Sequence, residues 1–551
     1  MAEKRPLSSD IQILIDGTKL KNQVLAQVAA WTVEQDVPLP DMRTLRLYDP
    51  NLELLDKGTV DLTNKIEIKA ENAEGSLISL FEGEVTALEP SFGAGMVSEL
   101  IVRGYDPSHR LFREVKSRAF LNKKDSDLAQ EIAQEAGLDA KADSTQTVYD
   151  HIFQDNQTDL AFLMQRAWRI GYDCFVKEKT LHFTKPDTSS ASVTLTWGDD
   201  LLSFYPRVTL SEQVDEVSVR GWDAETQKPI VGKAQSGQLY PDIEESKDGA
   251  AWASDFGNGK FTIVNQPVIS QAEADLMAAA RMDELSGTFV QAHGTAFRRP
   301  DIRAGQTIKL ESLGKRLSGT YLVTNAAHSY TAEGLRTNFK VQGARTSLLS
   351  EQLGQQKATA QWAGVVTGVV TNTEDPNKWG RVKLQFPWMT EDAESDWARV
   401  IGAGAGPEAG FYAIPDVGDE VLVAFEQGHI SRPYVLGGLW NGKHAIPPTA
   451  ADVPDNKKPA VRTWQSRKGH SITLIEEGDE KIEIKTAAGI TITLDDKEKK
   501  ITVAGSDDVE IKAGNNLTLE ASSNITIKAG GEMNIEATSQ ANIKGQMVNI
   551  N

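Results

Sequence analysis

The chain of 551 residues has a formal net charge of −20, with 40% hydrophobic and 25% charged residues, a globular composition with room for three or four domains. Nucleic-acid affinity rests on clustered Lys and Arg that release counterions, so the acidic balance excludes nucleic acid from the expected partners. No run of about 20 apolar residues is present to span a bilayer, and the opening MAEKRPLSSD lacks the apolar core of a secretory signal, so synthesis and assembly in the cytoplasm are expected.

From the start to Arg345 the pattern is α+β. Short strand-like stretches such as Ile11–Ile15 and Ile66–Lys69 are interrupted by two expected helices. The first is expected to start after Asp127, with Gln130 three residues on as in a capping box, Leu128 and Ile132 on one face and Gly137 as the stop. In the second, Leu160, Leu163, Met164, Ala167 and Trp168 follow the i, i+3, i+4, i+7, i+8 stripe of a core-facing helix, closed by Gly171. Residues 346–361 are polar and Gln-rich, a connector. Residues 362–445 carry WAGVVTGVVTN, GRVKLQFPW, GDEVLVAFEQG and RPYVLGGLW, short strands with Gly at the corners that suit a small closed barrel of the OB type. Residues 446–465 are broken by prolines and read as a second linker.

Residues 466–551 end in a repeat of period eight: VEIKA from Val509, LTLEA from Leu517, ITIKA from Ile525, MNIEA from Met533 and ANIKG from Ala541, separated by GNN, SSN, GGE and TSQ. Apolar or small residues at the first, third and fifth places make each copy a five-residue strand with one dry face, and the spacers are turn residues. Five residues are too few for one chain to enclose that face. Three copies around an axis solve the problem, with Val509, Leu517, Ile525 and Met533 in one interior column, Ile511, Leu519, Ile527, Ile535 and Ile543 in another, and small residues from Ala513 to Gly545 where the walls meet. The fourth place reads Lys512, Glu520, Lys528, Glu536, Lys544, and stacked octads would set unlike charges beside one another. The earlier strands SITLI, KIEIK, GITITL and KKITVAG keep the alternation at irregular spacing, as a wider base. A single-chain solenoid is disfavoured because such coils use turns of about 20 or more residues.

RGYDPSHRLFREVKSRAF from Arg103, SDLAQEIAQEAGL, and FQDNQTDLAFLMQRAWRIGYDCFVKEKTLHF from Phe153 resemble the baseplate hubs of contractile phage tails. EDPNKWGRVKLQFPW and the run from Trp397 through GLWNG are similar to the OB barrel of VgrG-type spikes. Hub, barrel and octad needle stand in that family's order over almost the whole chain. The resemblance implies a mainly β fold: an α+β hub at 1–345 with two tube-like β-barrel domains, an OB barrel and an intertwined trimeric β-helix or prism. It implies a non-enzymatic homotrimeric spike of a type VI secretion apparatus, an extracellular phage-tail-like particle or a tailocin. Its implied partners are the hexameric inner tube, baseplate proteins, a PAAR-type tip protein, separate effector cargo and, transiently, a target membrane. Delivery on firing to the extracellular space or a target cell follows from the same likeness.

No catalytic, cofactor or metal site is expected. The eight histidines are scattered without H-E-x-x-H or paired Cys/His spacing. Cys174, the only cysteine, lies eight residues before His182 on what should be adjacent strands, and reads as a buried thiol. With no disulfide available, stability outside a cell is expected from packing or oligomerisation. GAGAGPEAG from Gly402 misses the G-x-G-x-x-G spacing and reads as a barrel loop. Between barrel and needle, Asn441 to Gln465 is too short for the lysozyme domain that some phage spikes insert there, and no effector domain follows the needle, so separate cargo is expected. Val548 and Ile550 leave the octad frame by one place, and Met547, Val548, Asn549, Ile550 and Asn551 form the expected docking face for a tip protein. The competing classes are a trimeric β-prism adhesin or receptor-binding fibre, which needs an export signal, and an envelope hydrolase, which needs a paired-carboxylate cleft.

Overall fold

The computed structural model describes residues 10–550 except 38, 95–96, 189–190, 240, 246, 258, 342–361, 363, 390–392 and 451–457. The 346–361 connector and Asn551 therefore lie outside the described residues, as does part of the 446–465 linker. The chain divides into two compact units, Met1–Leu439 and Trp440–Asn551.

In the first unit, alternating apolar residues build two β sets. Strands Ile11–Ile15, Val28–Asp36, Met42–Tyr48, Lys65–Glu71, Leu77–Gly93 and Val97–Tyr105 form the first, burying Ile13, Trp31, Val33, Leu45, Ile68 and Val102. Strands Ala191–Thr196, Leu201–Val208, Val290–Phe297, Thr307–Glu311, Gly319–Thr331 and Gly334–Val341 form the second, around Leu195, Ile308, Tyr321 and Phe339. Gly319–Thr331 pairs antiparallel with Val28–Asp36, from Asn325 opposite Asp36 to Tyr330 opposite Trp31, and joins both sets into one 14-stranded sheet. His328 is fully buried on this seam.

Two α/β insertions leave the β sets. One contains the helices Asp125–Glu135 and Asp159–Arg169. The stripe Leu160, Leu163, Met164, Ala167 is buried, and Trp168 packs against the same core partly exposed. Gly171 ends this helix at φ +76°, as expected. The first helix starts earlier than its sequence signal: Lys124 is the N-cap, and Asp127 stands three places inside, its carboxylate accepting from the Lys124 N–H at 3.0 Å. An acid at that place completes the capping box from within, so Asp127 marks the third helical residue and not the boundary. The second insertion holds a third long helix, Gln271–Gly287, which the two-helix reading omits. Ser270 caps it by accepting from the Glu273 N–H at 3.2 Å.

The OB barrel orders its strands Lys383–Gln385, Val365–Asn372, Glu420–Phe425, Pro433–Gly438, Arg399–Val400. An antiparallel bridge between Val382 and Ala398 links the first to the last. Phe386 is buried between Trp388, stacked at 5.0 Å, and the edge of Phe425. GAGAGPEAG forms a short exposed hairpin, Ala405–Gly406 against Ala409–Gly410.

The second unit opens with a five-stranded antiparallel meander: Val461–Gln465, Ser471–Ile475, Lys481–Lys485, Thr491–Asp495 and Lys500–Ala504. The first strand falls inside the stretch read as a linker. Its VRTWQ keeps an apolar residue at the fourth place, Trp464, but Arg462 stands at the second place where its four neighbours carry Ile, and the prolines just before it dominate the local pattern.

Candidate functional site: the dry faces of the C-terminal unit

The meander register gathers its apolar residues on one face. Trp464 pairs with Ile472, Ile472 with Ile484, Ile484 with Ile492, and Ile492 with Val503. Beside this column Leu474, Ile482, Leu494 and Ile501 make a second. These side chains are 40–72% exposed. On the opposite face Thr473 is buried at 5% and shares a hydrogen bond of 2.9 Å with Thr463. A lone chain thus leaves open the face that has most to gain from burial. At about 25 cal/mol per Å² of apolar surface, sheltering these two columns is worth on the order of 10 kcal/mol.

The octads continue the pattern without a ladder of their own. Among the described residues from 505 to 550 there is no strand pairing. The structure does not bring the core residues together within one chain. Val509 is 58% exposed, Ile511 70%, Ile527 66% and Ile543 72%, and Leu517, Leu519, Ile525, Met533 and Ile535 are likewise open. The expectation of a strand in each octad is therefore not met in the single chain. A five-residue segment counts as a strand only where a neighbour takes up its backbone hydrogen bonds, and among the described residues the single chain supplies none. Of the alternating charges, Lys512 reaches Glu510 two places earlier at 2.5 Å. In the proposed docking face Met547, Val548 and Ile550 are exposed at 79%, 49% and 88%, Asn549 is exposed, and Asn551 lies outside the described residues.

The charged groups of the first unit form structural clamps. Tyr149 donates its hydroxyl to Glu273 Oε1 at 3.1 Å, and Arg169 Nη2 donates to the same oxygen at 2.9 Å. Arg166 lies over the Tyr149 ring and donates from Nε to Asp125 at 2.6 Å. Burial opposes ionisation of Glu273, yet Arg169 foremost holds it below the usual carboxylate range. Across this network, burial and then the charges of Arg169, Arg166 and Arg432 lower the His429 imidazole to about 3. Three segments of the hub and the barrel's 426–432 turn meet here, and each arginine already has its carboxylate. Cys174 is buried, and burial pushes its thiol up, away from the reactive thiolate. It pairs opposite Phe183, with His182 opposite Phe175. Among the described residues no group of three or more His, Cys, Asp or Glu is gathered for a metal ion.

The dry face of the meander was legible only in part. Its alternation is visible in the sequence, but the inclusion of Trp464 required the strand at 461–465. The clamp had a sequence signal in the S-x-x-E of Ser270 to Glu273.

Residues 8–332 match the family model described as the Alg8 N-terminal domain, and residues 366–440 match the type VI secretion system/phage-baseplate injector OB domain. The type VI secretion system spike protein VgrG5 of Pseudomonas aeruginosa is 38% identical over 109 residues, 19% of this chain and 13% of that protein. VgrG1a of the same organism is 32% identical over 114 residues, 19% of this chain and 17% of its own length. The matches thus span less than a fifth of the curated relatives. Among solved structures, the half-lidded Francisella PdpA-VgrG complex aligns over 90% of this chain and 88% of that chain with a TM-score of 0.53 at 10% identity. The E. coli c3393 protein, described as a component of the type VI secretion system similar to T4 tail proteins gp27 and gp5, aligns over 78% and 99% with a TM-score of 0.50 at 15% identity. At these identities the structural matches speak for the fold.

Proposed function

The chain belongs to the Alg8 N-terminal-domain family, and from that premise we propose that it is a structural spike of the VgrG type, a non-enzymatic homotrimer that caps the inner tube of a contractile injection system and pierces a target envelope. The carrying observation is the uncovered apolar face from Trp464 to Val503, continued by the open octad columns to Ile543. Three copies around an axis turn each such face inward and give every octad a neighbouring strand from another chain. The walls of the prism are then the meanders, and the rod below them is the octad needle.

In this reading residues 1–345 are the hub, and its two β sets are the tube-like domains. Three subunits present six such domains to a hexameric tube. Residues 362–445 are the barrel collar, the needle unit begins at Val461, and Met547 to Asn551 receive a tip protein of the PAAR type. Baseplate proteins hold the hub, and effectors travel as separate cargo. The particle assembles in the cytoplasm and leaves it on firing. Sheath contraction supplies the work, so the demand on the spike is resistance to forced unfolding, which the unfolding rate governs. Interwound chains unfold slowly without disulfides, which suits a chain whose only thiol is buried.

Native mass spectrometry of the full chain tests the reading. A mass of three copies is expected, and Ile482→Asp with Ile484→Asp should release single chains with folded hubs. A stable single chain that shields its isoleucine columns from hydrogen exchange would overturn it.

A further inference from the structure

A cleft of about 440 Å³ opens within the first unit where the Tyr149–Thr158 strand and the Asp159–Arg169 helix face the OB barrel. Trp222 lines it 49% exposed, and Trp379, 44% exposed, already carries the Arg381 guanidinium over its ring at 4.8 Å. Four of its arginines are already engaged: Arg166 with Asp125, Arg169 with Glu273, Arg381 with Asp375 and Arg432 with Glu426, all within 2.9 Å. Arg399 leans over the Tyr434 ring. The lining carboxylates Asp150, Asp155, Glu225 and Asp396, by contrast, make no ion pair among the described residues.

A second observation comes from His151, which lines the cleft and is 7% exposed. Its Nε2 lies 2.9 Å from the Glu394 carbonyl oxygen, which only accepts, so Nε2 carries the proton and donates. Burial lowers the proton affinity of the ring, which keeps it neutral. Its Nδ1 is therefore a bare lone pair, and that buried atom has no partner. Burial foremost raises the carboxyl of Asp396, against the Trp397 N–H and the His151 and Arg381 charges that lower it, and Asp150 adds to the rise. An unpaired acceptor, unpaired carboxylates and the exposed indole of Trp222 converge on one chemistry: a cationic group with N–H donors on an apolar stem.

We propose that this cleft is a docking site for a lysine- or arginine-bearing peptide segment of a partner protein, with the cation between Asp150, Asp396 and His151 Nδ1 and its stem along Trp222. Apolar Val148 and Ile269, about half exposed in the same lining, give the residues beside the cation a surface.

The test uses a blocked hexapeptide alternating Arg and Leu, its Glu–Leu twin, and spermidine, titrated calorimetrically into the full-length protein at physiological ionic strength. The Arg–Leu peptide is expected to bind, to quench tryptophan emission and to shift the His151 Nδ1 resonance. Asp150→Asn combined with Asp396→Asn should weaken it about tenfold or more. Asp139→Asn with Glu212→Gln, which remove two exposed acids elsewhere on the hub, should leave it unchanged. Asp150 is exposed, so Asp150→Asn alone gives a folded variant in which partial weakening is expected. Equal weakening by the remote pair, equal binding of the Glu–Leu twin, spermidine binding as tightly as the peptide, or no binding would each overturn the proposal.

Discussion

Trp31 and Tyr330 stack across the seam of the two β sets, ring centroids 5.7 Å apart and planes 7° from parallel, on strands that pair them directly. Trp31 is 1% exposed, and its Nε1 has no hydrogen-bond partner. Aromatic pairs of this kind contribute about 0.5–1.5 kcal/mol beyond area burial. A double-mutant cycle with Trp31→Leu and Tyr330→Leu should return a coupling of that size in chemical denaturation. Trp31→Phe should cost less than Trp31→Leu, because it keeps a ring and removes the unpaired N–H. Strict additivity of the two leucine changes would show that the rings are neighbours without coupling.

Gly232 lies where the Lys228–Ala234 strand meets the Gln271–Gly287 helix, and a Cβ there would stand 2.2 Å from the Ala274 backbone. Backbone cannot rotate away as a side chain does, so Gly232→Ala must push the helix off the strand. A loss of about 1–3 kcal/mol is expected, read as a lower melting temperature of the hub. Gly437→Ala, with open space around its Cβ, is the control and should be nearly silent.

Gly232 also shows why some of the fold is hidden in the sequence. The strands of the hub follow from alternation, as in Ile11, Ile13 and Ile15, and the Asp159–Arg169 helix follows from its stripe. The Gln271–Gly287 helix is Ala-rich and packs through small residues such as Ala274 and Ala278. Its contrast between faces is therefore weak, and only its cap signals it. The candidate site was legible in its columns, because the period survives whatever the octads pair with. The cleft at His151 was not legible, since it joins residues near 150, 222, 269 and 380–434 through tertiary packing alone.

His328 makes hub stability depend on pH. The Thr337 hydroxyl donates to the Arg299 carbonyl at 2.9 Å, so at 3.0 Å it accepts from His328 Nδ1–H. Burial foremost, with the Arg303 charge, lowers the folded imidazole to about 3 from an ordinary 6.5. The unfolded chain takes up the proton first as pH falls, so this contribution is fully present above about 6.5 and is lost between there and 3. One such histidine withdraws about 1.4 kcal/mol per pH unit, hence about 2 kcal/mol between pH 7.5 and pH 5. Asp106 opposes it, because burial raises its folded carboxyl to about 6 and protonation there favours the folded hub as pH falls. The clean measurement is the stability difference between the native chain and His328→Gln, which should shrink by about 2 kcal/mol over that range. A difference that is constant with pH would mean that His328 titrates alike in both states.

The alternation Lys512, Glu520, Lys528, Glu536, Lys544 gives the threefold reading a test that leaves the apolar columns untouched. If octads stack in register, Lys528→Glu sets like charges against Glu520 and Glu536. Two opposed pairs at about 0.2–1 kcal/mol each put the loss on the order of 1 kcal/mol per chain, and salt should reduce it because these side chains are exposed. Inverting all five residues together restores the alternation and should recover the melting temperature of the assembled needle. Charge composition alone cannot give that recovery, because the five-residue inversion changes net charge by the same −2 as Lys528→Glu. A full inversion as harmful as the single change would therefore rule out stacking in register, even if the chain still proved trimeric.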